Sequence, residues 1–141
     1  MNKSEKVKNL IIDKPLKLDC GKTIVNFPLA YETYGQLNEK KDNAILAFHA
    51  LTGDQFAAGI NPITKKEGWW SNALGPGKAI DTNKYFVICA NVIGGCMGSY
   101  GPSNINPENS KPFGTNFPVI TINDMVNAQY HLLEFFKIDK L

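Results

Sequence analysis

Two short segments of this chain are apolar at every position, residues 44–48 (AILAF) and residues 86–90 (FVICA). Strands that are apolar on both faces are typical of parallel sheets whose two faces are covered. The segments therefore predict an α/β fold class. Each segment ends in a loop rich in glycine and polar residues. Because ligands of open α/β sheets bind beyond the carboxyl ends of the strands, these two loops are the candidate functional regions.

The composition favours a globular protein with neither a nucleic-acid nor a membrane partner. Of the 141 residues, 43% are hydrophobic and 20% are charged, which excludes a disordered tail, a coiled coil and a disulfide scaffold. The net charge of +2 is too small for a nucleic-acid-binding surface. No apolar run approaches the roughly 20 residues of a membrane-spanning helix. The 3 cysteines lack CxxC spacing and no signal peptide precedes them, so we expect a cytoplasmic location.

The residues before the first apolar segment predict a β-rich region. Residues 1–14 are expected to form a flexible lead-in, and the length of 141 residues is about that of one domain. Residues 16–18 and 24–34 are predicted to be strands joined by a turn at residues 19–22. Pro28 predicts an edge position for the second strand, because proline cannot donate to a sheet ladder.

One helix is predicted near the carboxyl end of the sequence, over residues 121–136. Thr121 and Asp124 have the spacing of a capping box, with Thr121 as N-cap. The apolar face is predicted to contain Ile122, Met125, Val126, Leu132, Leu133 and Phe136. The opposite, polar face is predicted to contain Asp124, Asn127, His131 and Glu134.

Residues 49–54 (HALTGD) follow the first apolar segment. This sequence resembles the oxyanion-hole turn of α/β-hydrolase-fold enzymes, in which a backbone N–H after the third strand points at the substrate carbonyl oxygen. The alternative is a plain strand-ending turn with a core histidine at His49.

The second glycine-rich loop, residues 91–102 (NVIGGCMGSYGP), matches no phosphate-binding motif. It also lacks the GxSxG of a nucleophile elbow, so Ser99 is predicted to be a hydrogen-bonding loop residue. Cys96 is predicted to be a packing residue, with a thiol nucleophile beside His49 as the alternative. The histidines and cysteines lack metal-ligand spacing, so no metal site is predicted. Trp69 and Trp70 are predicted to pack within a loop.

Several blocks occur in an order that resembles the homoserine O-acetyltransferase family of the α/β-hydrolase superfamily. The blocks are residues 31–35 (YETYG), 49–54 (HALTGD), 68–70 (GWW), 75–82 (GPGKAIDT), 91–102, 105–107 (INP) and 117–126 (FPVITINDMV). The resemblance spans roughly residues 16–141. It implies an α/β-hydrolase fold, with residues 15–141 as the N-terminal part of the catalytic domain: leading strands, then parallel strands with crossover helices, before the nucleophile elbow.

The resemblance also implies acyl transfer from acetyl-CoA to the hydroxyl of L-homoserine through an acyl-serine, a step of methionine biosynthesis. A histidine activates the serine and an aspartate orients the histidine. All three would lie beyond Leu141, so we expect this chain to be inactive alone. Only the first oxyanion donor carries over, to the Leu51 backbone N–H, with Thr52 beside it as a substrate-binding candidate. The family implies no cofactor apart from acetyl-CoA as co-substrate, and a homodimer.

Three alternatives stay open. Within the family, the acyl donor could be succinyl-CoA, or the acceptor could be serine. In a different class, the protein is a non-catalytic ligand-binding α/β domain that uses the loop at residues 94–101. A reading frame that continues past Leu141 into a buried strand and GxSxG favours the enzyme over the binding domain.

Overall fold

Residues 7–141, which the computed structural model describes, form short strands followed by one α-helix. The strands are β1 (Asn9–Ile12), β2 (Leu16–Lys17), β3 (Thr23–Ile24), β4 (Phe27–Tyr34), β5 (Ala44–Ala47), β6 (Leu74–Gly75), β7 (Ile80–Asp81), β8 (Phe86–Ala90), β9 (Ile105–Asn106) and β10 (Lys111–Pro112). A 3₁₀ turn at Gly114–Asn116 precedes the helix α1 (Ile122–Phe136).

The central sheet has four strands in the order β1-β4-β8-β5. β5 and β8 pair in parallel, with Ala44 opposite Phe86 and Ala47 opposite Cys89. This pairing confirms the parallel arrangement that the two apolar segments predict. β4 pairs antiparallel with both β1 and β8, so the sheet is mixed. The carboxyl ends of β5 and β8 therefore lie side by side at one edge of the sheet.

Strand β8 lies at the centre of two apolar clusters, one on each face of the sheet. Its alternate residues Phe86, Ile88 and Ala90 belong to the cluster that includes Ala128 and Leu132 of α1. The intervening residues, Val87 and Cys89, belong to the cluster on the other face, with Ala47, Ala57 and Leu74. Helix α1 thus contributes to one cluster, and the connection between β5 and β8 contributes to the other without forming an α-helix.

The strands near the amino terminus differ from the prediction in their boundaries. Asn26 has a φ of 50°, and this left-handed residue separates β3 from β4 where one continuous strand is predicted. The ordered sheet also begins earlier than expected, because β1 lies inside the predicted lead-in and pairs with residues 27–30. The part of the predicted lead-in at residues 1–6 lies outside the described residues.

The predicted edge position of Pro28 is wrong, because β4 is an interior strand. The β4–β8 ladder covers only Tyr31 to Tyr34, however, so β8 does not reach Pro28. The Pro28 carbonyl instead accepts a hydrogen bond from the Tyr100 N–H at 2.8 Å. The nitrogen and the carbonyl of a strand residue point to the same side of the strand. The Pro28 nitrogen therefore points toward the loop that contains Tyr100, and its lack of a hydrogen removes no hydrogen bond from the pairing of β4 with β1.

The amino-terminal capping of α1 is confirmed. The Thr121 hydroxyl accepts from the Asp124 N–H at 3.2 Å, and the Asp124 carboxylate accepts from the Thr121 N–H at 2.9 Å. Lys137 ends the helix in a left-handed conformation with a φ of 55°. None of the helices among residues 7–141 is long and apolar enough to span a membrane.

The buried face of α1 is rotated relative to the prediction. Asp124, predicted on the polar face, is fully buried, whereas Ile122 and Val126 are 75% and 47% exposed. The reason is the second oxygen of the Asp124 carboxylate, which accepts from the backbone N–H of Asp19 at 2.9 Å. Because both carboxylate oxygens have backbone donors, the charge can be buried beside the turn between β2 and β3.

Candidate active site

The turn that follows β5 presents a backbone N–H to solvent. Residues 50–53 form a tight turn in which the Gly53 N–H donates to the Ala50 carbonyl at 2.8 Å. Leu51 occupies the second position of this turn, and the residue is 94% exposed. Its N–H makes no hydrogen bond with any of residues 7–141. The predicted oxyanion donor is therefore placed in the open, where a substrate oxygen can reach it.

Thr52 occupies the third position of the same turn and is exposed. Its hydroxyl has no hydrogen-bond partner in the described part of the chain. The residue is adjacent to the Leu51 N–H, and its substrate-binding role stays a prediction.

His49 joins the turn after β5 to the loop after β8. Its Nε2 lies 3.2 Å from the Val92 backbone N and 3.4 Å from the Asn91 side-chain amide nitrogen. Its Nδ1 lies 2.7 Å from the Ala50 carbonyl oxygen. The histidine is thus neither a solvated base nor an apolar core residue, and it connects the two candidate functional loops.

Loop 91–101 is stabilised by buried polar side chains. The Ser99 hydroxyl donates to the Asn91 carbonyl and accepts from the Ala30 N–H at 2.9 Å. The Asn91 side-chain oxygen accepts from the Met97 N–H at 3.2 Å. Ser99 and Asn91 are only 4% and 2% exposed. Ser99 is therefore the hydrogen-bonding loop residue that the sequence predicts.

The glycines of this loop allow close backbone contact. A Cβ at Gly101 would lie 2.3 Å from the Gly95 carbonyl oxygen, and a Cβ at Gly95 would lie 2.8 Å from the Val92 carbonyl oxygen. Neither distance is possible for a side-chain carbon. The glycine pattern is therefore explained by packing of the loop against itself.

The segment after the turn is anchored by Asp54 and by Tyr34 of β4. The Asp54 carboxylate accepts from the Phe56 N–H and from the Asn61 side chain, both at 2.8 Å. The Asp54 carbonyl accepts from the Trp69 indole N–H at 2.9 Å, and the two tryptophan rings stack. This confirms that the tryptophans pack within a loop. Burial raises the pKa of Tyr34 to about 12, so its phenol stays neutral while it bonds this segment.

The remaining cysteines and histidine do not extend the site. Cys96 is exposed rather than packed, which corrects the prediction. Cys89 is buried in β8, and burial raises the pKa of its thiol to about 12. His131, predicted on the polar face of the helix, pairs with Glu134 at 2.9 Å and contacts the Phe27 ring edge to face.

Among residues 7–141, the Leu51 N–H is the candidate donor to a substrate oxygen, and neither His49 nor Ser99 is placed to act as base or nucleophile beside it. Both nitrogens of His49 are engaged by backbone groups, and Ser99 is buried in backbone hydrogen bonds. The described range also holds no group of three or more histidine, cysteine or acidic side chains that could bind a metal ion. Within this range, a backbone N–H is available to stabilise negative charge on a substrate oxygen, and neither His49 nor Ser99 is free to act as the base or the nucleophile of a covalent mechanism.

One curated relative matches this chain over its whole length, and a second matches 92% of it. It is 78% identical to the homoserine O-acetyltransferase of Pelagibacter ubique over 141 residues. It is 59% identical to the homoserine O-acetyltransferase of Mesorhizobium japonicum over 129 residues. The chain is similar to the N-terminal part of curated homoserine O-acetyltransferases. It spans only 38% and 33% of the length of these relatives, in their N-terminal part. No family model matches the chain.

Solved structures confirm the α/β-hydrolase fold. The homoserine O-acetyltransferase of Bacillus anthracis superposes with a TM-score of 0.87 at 35% identity, covering 96% of this chain and 38% of that one. Esterase E22 superposes with a TM-score of 0.86 at 37% identity, covering 96% of this chain and 39% of that one. The sheet, with its parallel β5–β8 pair, is the N-terminal portion of this fold.

The sequence could not reveal that His49 connects the two loops. A histidine at a strand end has many possible partners, and the Val92 N–H lies 43 residues away along the chain. The sequence signal that the two loops lie close together is the pair of apolar segments, since neighbouring parallel strands place their carboxyl ends side by side.

Proposed function

We propose that this chain forms the N-terminal part of a cytoplasmic enzyme of methionine biosynthesis, which transfers an acetyl group from acetyl-CoA to L-homoserine. The identity of 78% with the Pelagibacter ubique homoserine O-acetyltransferase supports this substrate pair. The structural observation that carries the proposal is the exposed Leu51 N–H, unpaired among residues 7–141, at the end of β5.

In the proposed reaction, Leu51 acts through its backbone. A serine hydroxyl, outside residues 1–141, attacks the acetyl thioester, and the carbonyl oxygen becomes an oxyanion. The Leu51 N–H donates to that oxyanion, which lowers the barrier because the donor is already oriented and needs no reorganisation. Collapse of the intermediate breaks the C–S bond, releases CoA with the proton lost by the serine, and leaves an acetyl-serine. The homoserine hydroxyl then attacks the acetyl-serine, and the same N–H stabilises the second oxyanion. Its collapse releases O-acetylhomoserine and returns the homoserine proton to the serine oxygen.

A hydrolase that passes the acetyl group to water is the second candidate. The match to esterase E22 favours it, and the acetylester hydrolase of Corynebacterium glutamicum also superposes, with a TM-score of 0.67. Both candidates use an oxyanion donor in the same way. The acyltransferase is preferred because identity with the curated transferases is far higher than the 37% identity with esterase E22.

Product analysis of the protein encoded by the complete reading frame tests the proposal. The purified protein is incubated with acetyl-CoA, and CoA release is followed with L-homoserine, with L-serine and with neither; succinyl-CoA replaces acetyl-CoA in a parallel set. We expect CoA release that depends on homoserine and yields O-acetylhomoserine. Release at equal rates without an acceptor supports the hydrolase, and no release from folded protein contradicts both candidates.

A chimera separates the contribution of this chain from that of the remaining sequence. Residues 1–141 replace the matching N-terminal part of the Pelagibacter ubique relative, to which they are 78% identical. We expect the chimera to keep the acetyltransferase activity of that relative. We expect residues 1–141 alone to be inert, since the described residues provide no activated nucleophile.

We also propose that the complete protein forms a homodimer. Size-exclusion chromatography of the complete protein tests this.

A further inference from the structure

We infer that His49 is a positioning residue that orients the Leu51 N–H through the peptide bond between Ala50 and Leu51. The inference deepens the proposed function and rests on it. A backbone N–H can only donate, so the Val92 N–H at 3.2 Å makes Nε2 the acceptor. The proton of the neutral ring therefore lies on Nδ1, which donates to the Ala50 carbonyl at 2.7 Å.

The Ala50 carbonyl belongs to the same planar peptide unit as the Leu51 N–H. Because that unit is rigid, fixing the direction of its carbonyl also fixes the direction of its N–H. Two donors fix this carbonyl, the His49 ring at 2.7 Å and the Gly53 N–H at 2.8 Å. Hydrogen bonds to a peptide oxygen also polarise the unit, which strengthens its N–H as a donor.

The ring is itself held from the neighbouring loop. Nε2 accepts from the Val92 N–H, in a loop whose backbone is held by the buried side chains of Asn91 and Ser99. Through these hydrogen bonds, His49 connects the exposed turn after β5 to the well-held loop after β8 and so restrains the turn. With both nitrogens engaged, the ring has no free site with which to accept a substrate proton, so it is not a general base.

Gly53 leaves space for this arrangement. A Cβ at Gly53 would lie 3.0 Å from the His49 Cβ and 3.2 Å from the Ala50 carbonyl oxygen. An added methyl group would therefore press on both partners of the Nδ1 hydrogen bond. Gly53→Ala provides a second way to disturb the turn without changing the imidazole.

The test compares two substitutions of His49 in the protein encoded by the complete reading frame. His49→Phe keeps a ring but removes both nitrogens. His49→Asn places an amide nitrogen at the Nδ1 position, because both atoms are two bonds from Cβ. We expect His49→Phe to lower kcat by up to about 100-fold, as for a small misplacement of a catalytic group. We expect a change of less than about 3-fold in KM for acetyl-CoA, partial recovery of kcat in His49→Asn, and a lower kcat in Gly53→Ala.

His131→Asn is the matched control, since His131 lies on α1 and bonds Glu134. We expect its kcat to be unchanged. Thermal unfolding of each variant separates positioning from stability. Equal loss of kcat in His49→Phe and His49→Asn, or a loss that follows the melting temperature, would overturn the inference.

The ring proton gives a readout that does not depend on activity. Nitrogen-15 NMR of histidine-labelled protein reports which nitrogen of His49 is protonated, with His49→Phe used to assign the signal. We expect a protonated Nδ1 and an unprotonated Nε2 at neutral pH. The opposite tautomer would overturn the inference, whether or not the protein turns over substrate. If the wild-type protein had the expected tautomer but no acetyltransferase activity, only the proposed function would be contradicted.

Discussion

The loops after β5 and after β8 lie at the same edge of the sheet but differ in how their backbones are held. After β8, the Gly94 N–H donates to the Tyr100 carbonyl at 2.7 Å, and buried Asn91 and Ser99 bond further backbone groups. After β5, one backbone hydrogen bond closes the turn, and Leu51 is almost fully exposed. We call residues 91–101 the scaffold loop, because their backbone is held by several hydrogen bonds. We call residues 49–54 the presenting loop, because they expose the Leu51 N–H.

This difference shows why glycine content is a poor guide to the site. The loop after β8 contains more glycine, yet Gly95 and Gly101 are explained by close approach of its own backbone. The loop after β5 carries the exposed N–H but depends on His49 for its link to the scaffold. Substitutions in the two loops should therefore separate activity from stability.

The largest effect is expected in the presenting loop. Leu51→Pro removes the N–H at the second position of a tight turn, where proline is commonly accommodated. We expect a loss of about 2.7–4 kcal/mol of transition-state stabilisation, as for removal of one oxyanion donor. Leu51→Met keeps the N–H and should retain most activity. The measurement is kcat/KM for acetyl-CoA with the complete protein; equal activity of a folded Leu51→Pro variant contradicts the assignment.

An intermediate effect, on stability rather than turnover, is expected in the scaffold loop. Ser99→Ala leaves the buried Ala30 N–H without its hydroxyl acceptor, which should cost about 1–3 kcal/mol of unfolding free energy. Ser71→Ala is the matched control, because the Ser71 hydroxyl is buried without a partner among residues 7–141 and its removal should be nearly neutral. Denaturant unfolding measures both. If Ser99→Ala abolished acetyl-enzyme formation while the protein stayed folded, Ser99 would have to be reconsidered as a nucleophile.

The smallest effect is expected at Cys96. Because this thiol is exposed in the loop, Cys96→Ala should change stability by less than about 0.5 kcal/mol and leave turnover intact. Alkylation followed by mass spectrometry provides the comparison. Cys96 should react with iodoacetamide in the folded protein, whereas Cys89 should not, because it is buried and its pKa is raised to about 12. A protected Cys96 would show that the loop is covered.

The sequence was sufficient for features that depend on local pattern. The parallel β5–β8 pair followed from two fully apolar runs, and the start of α1 followed from the spacing of Thr121 and Asp124. Features that depend on distant partners were missed. Asp124 is buried because the Asp19 N–H, 105 residues away, compensates its charge, and no periodicity in the helix reveals this. Pro28 is tolerated in an interior strand because the β8 ladder ends before reaching it.

The most direct test of the account replaces the amide between Ala50 and Leu51 by an ester, through incorporation of the hydroxy-acid analogue of leucine in the complete protein. This change removes the N–H and leaves the Leu51 side chain and the turn carbonyl in place. Acetyl-enzyme formation from acetyl-CoA is then measured together with the melting temperature. We expect formation to slow by about 10²–10³-fold with little change in melting temperature. Formation at the wild-type rate would contradict the claim that the Leu51 N–H is the oxyanion donor.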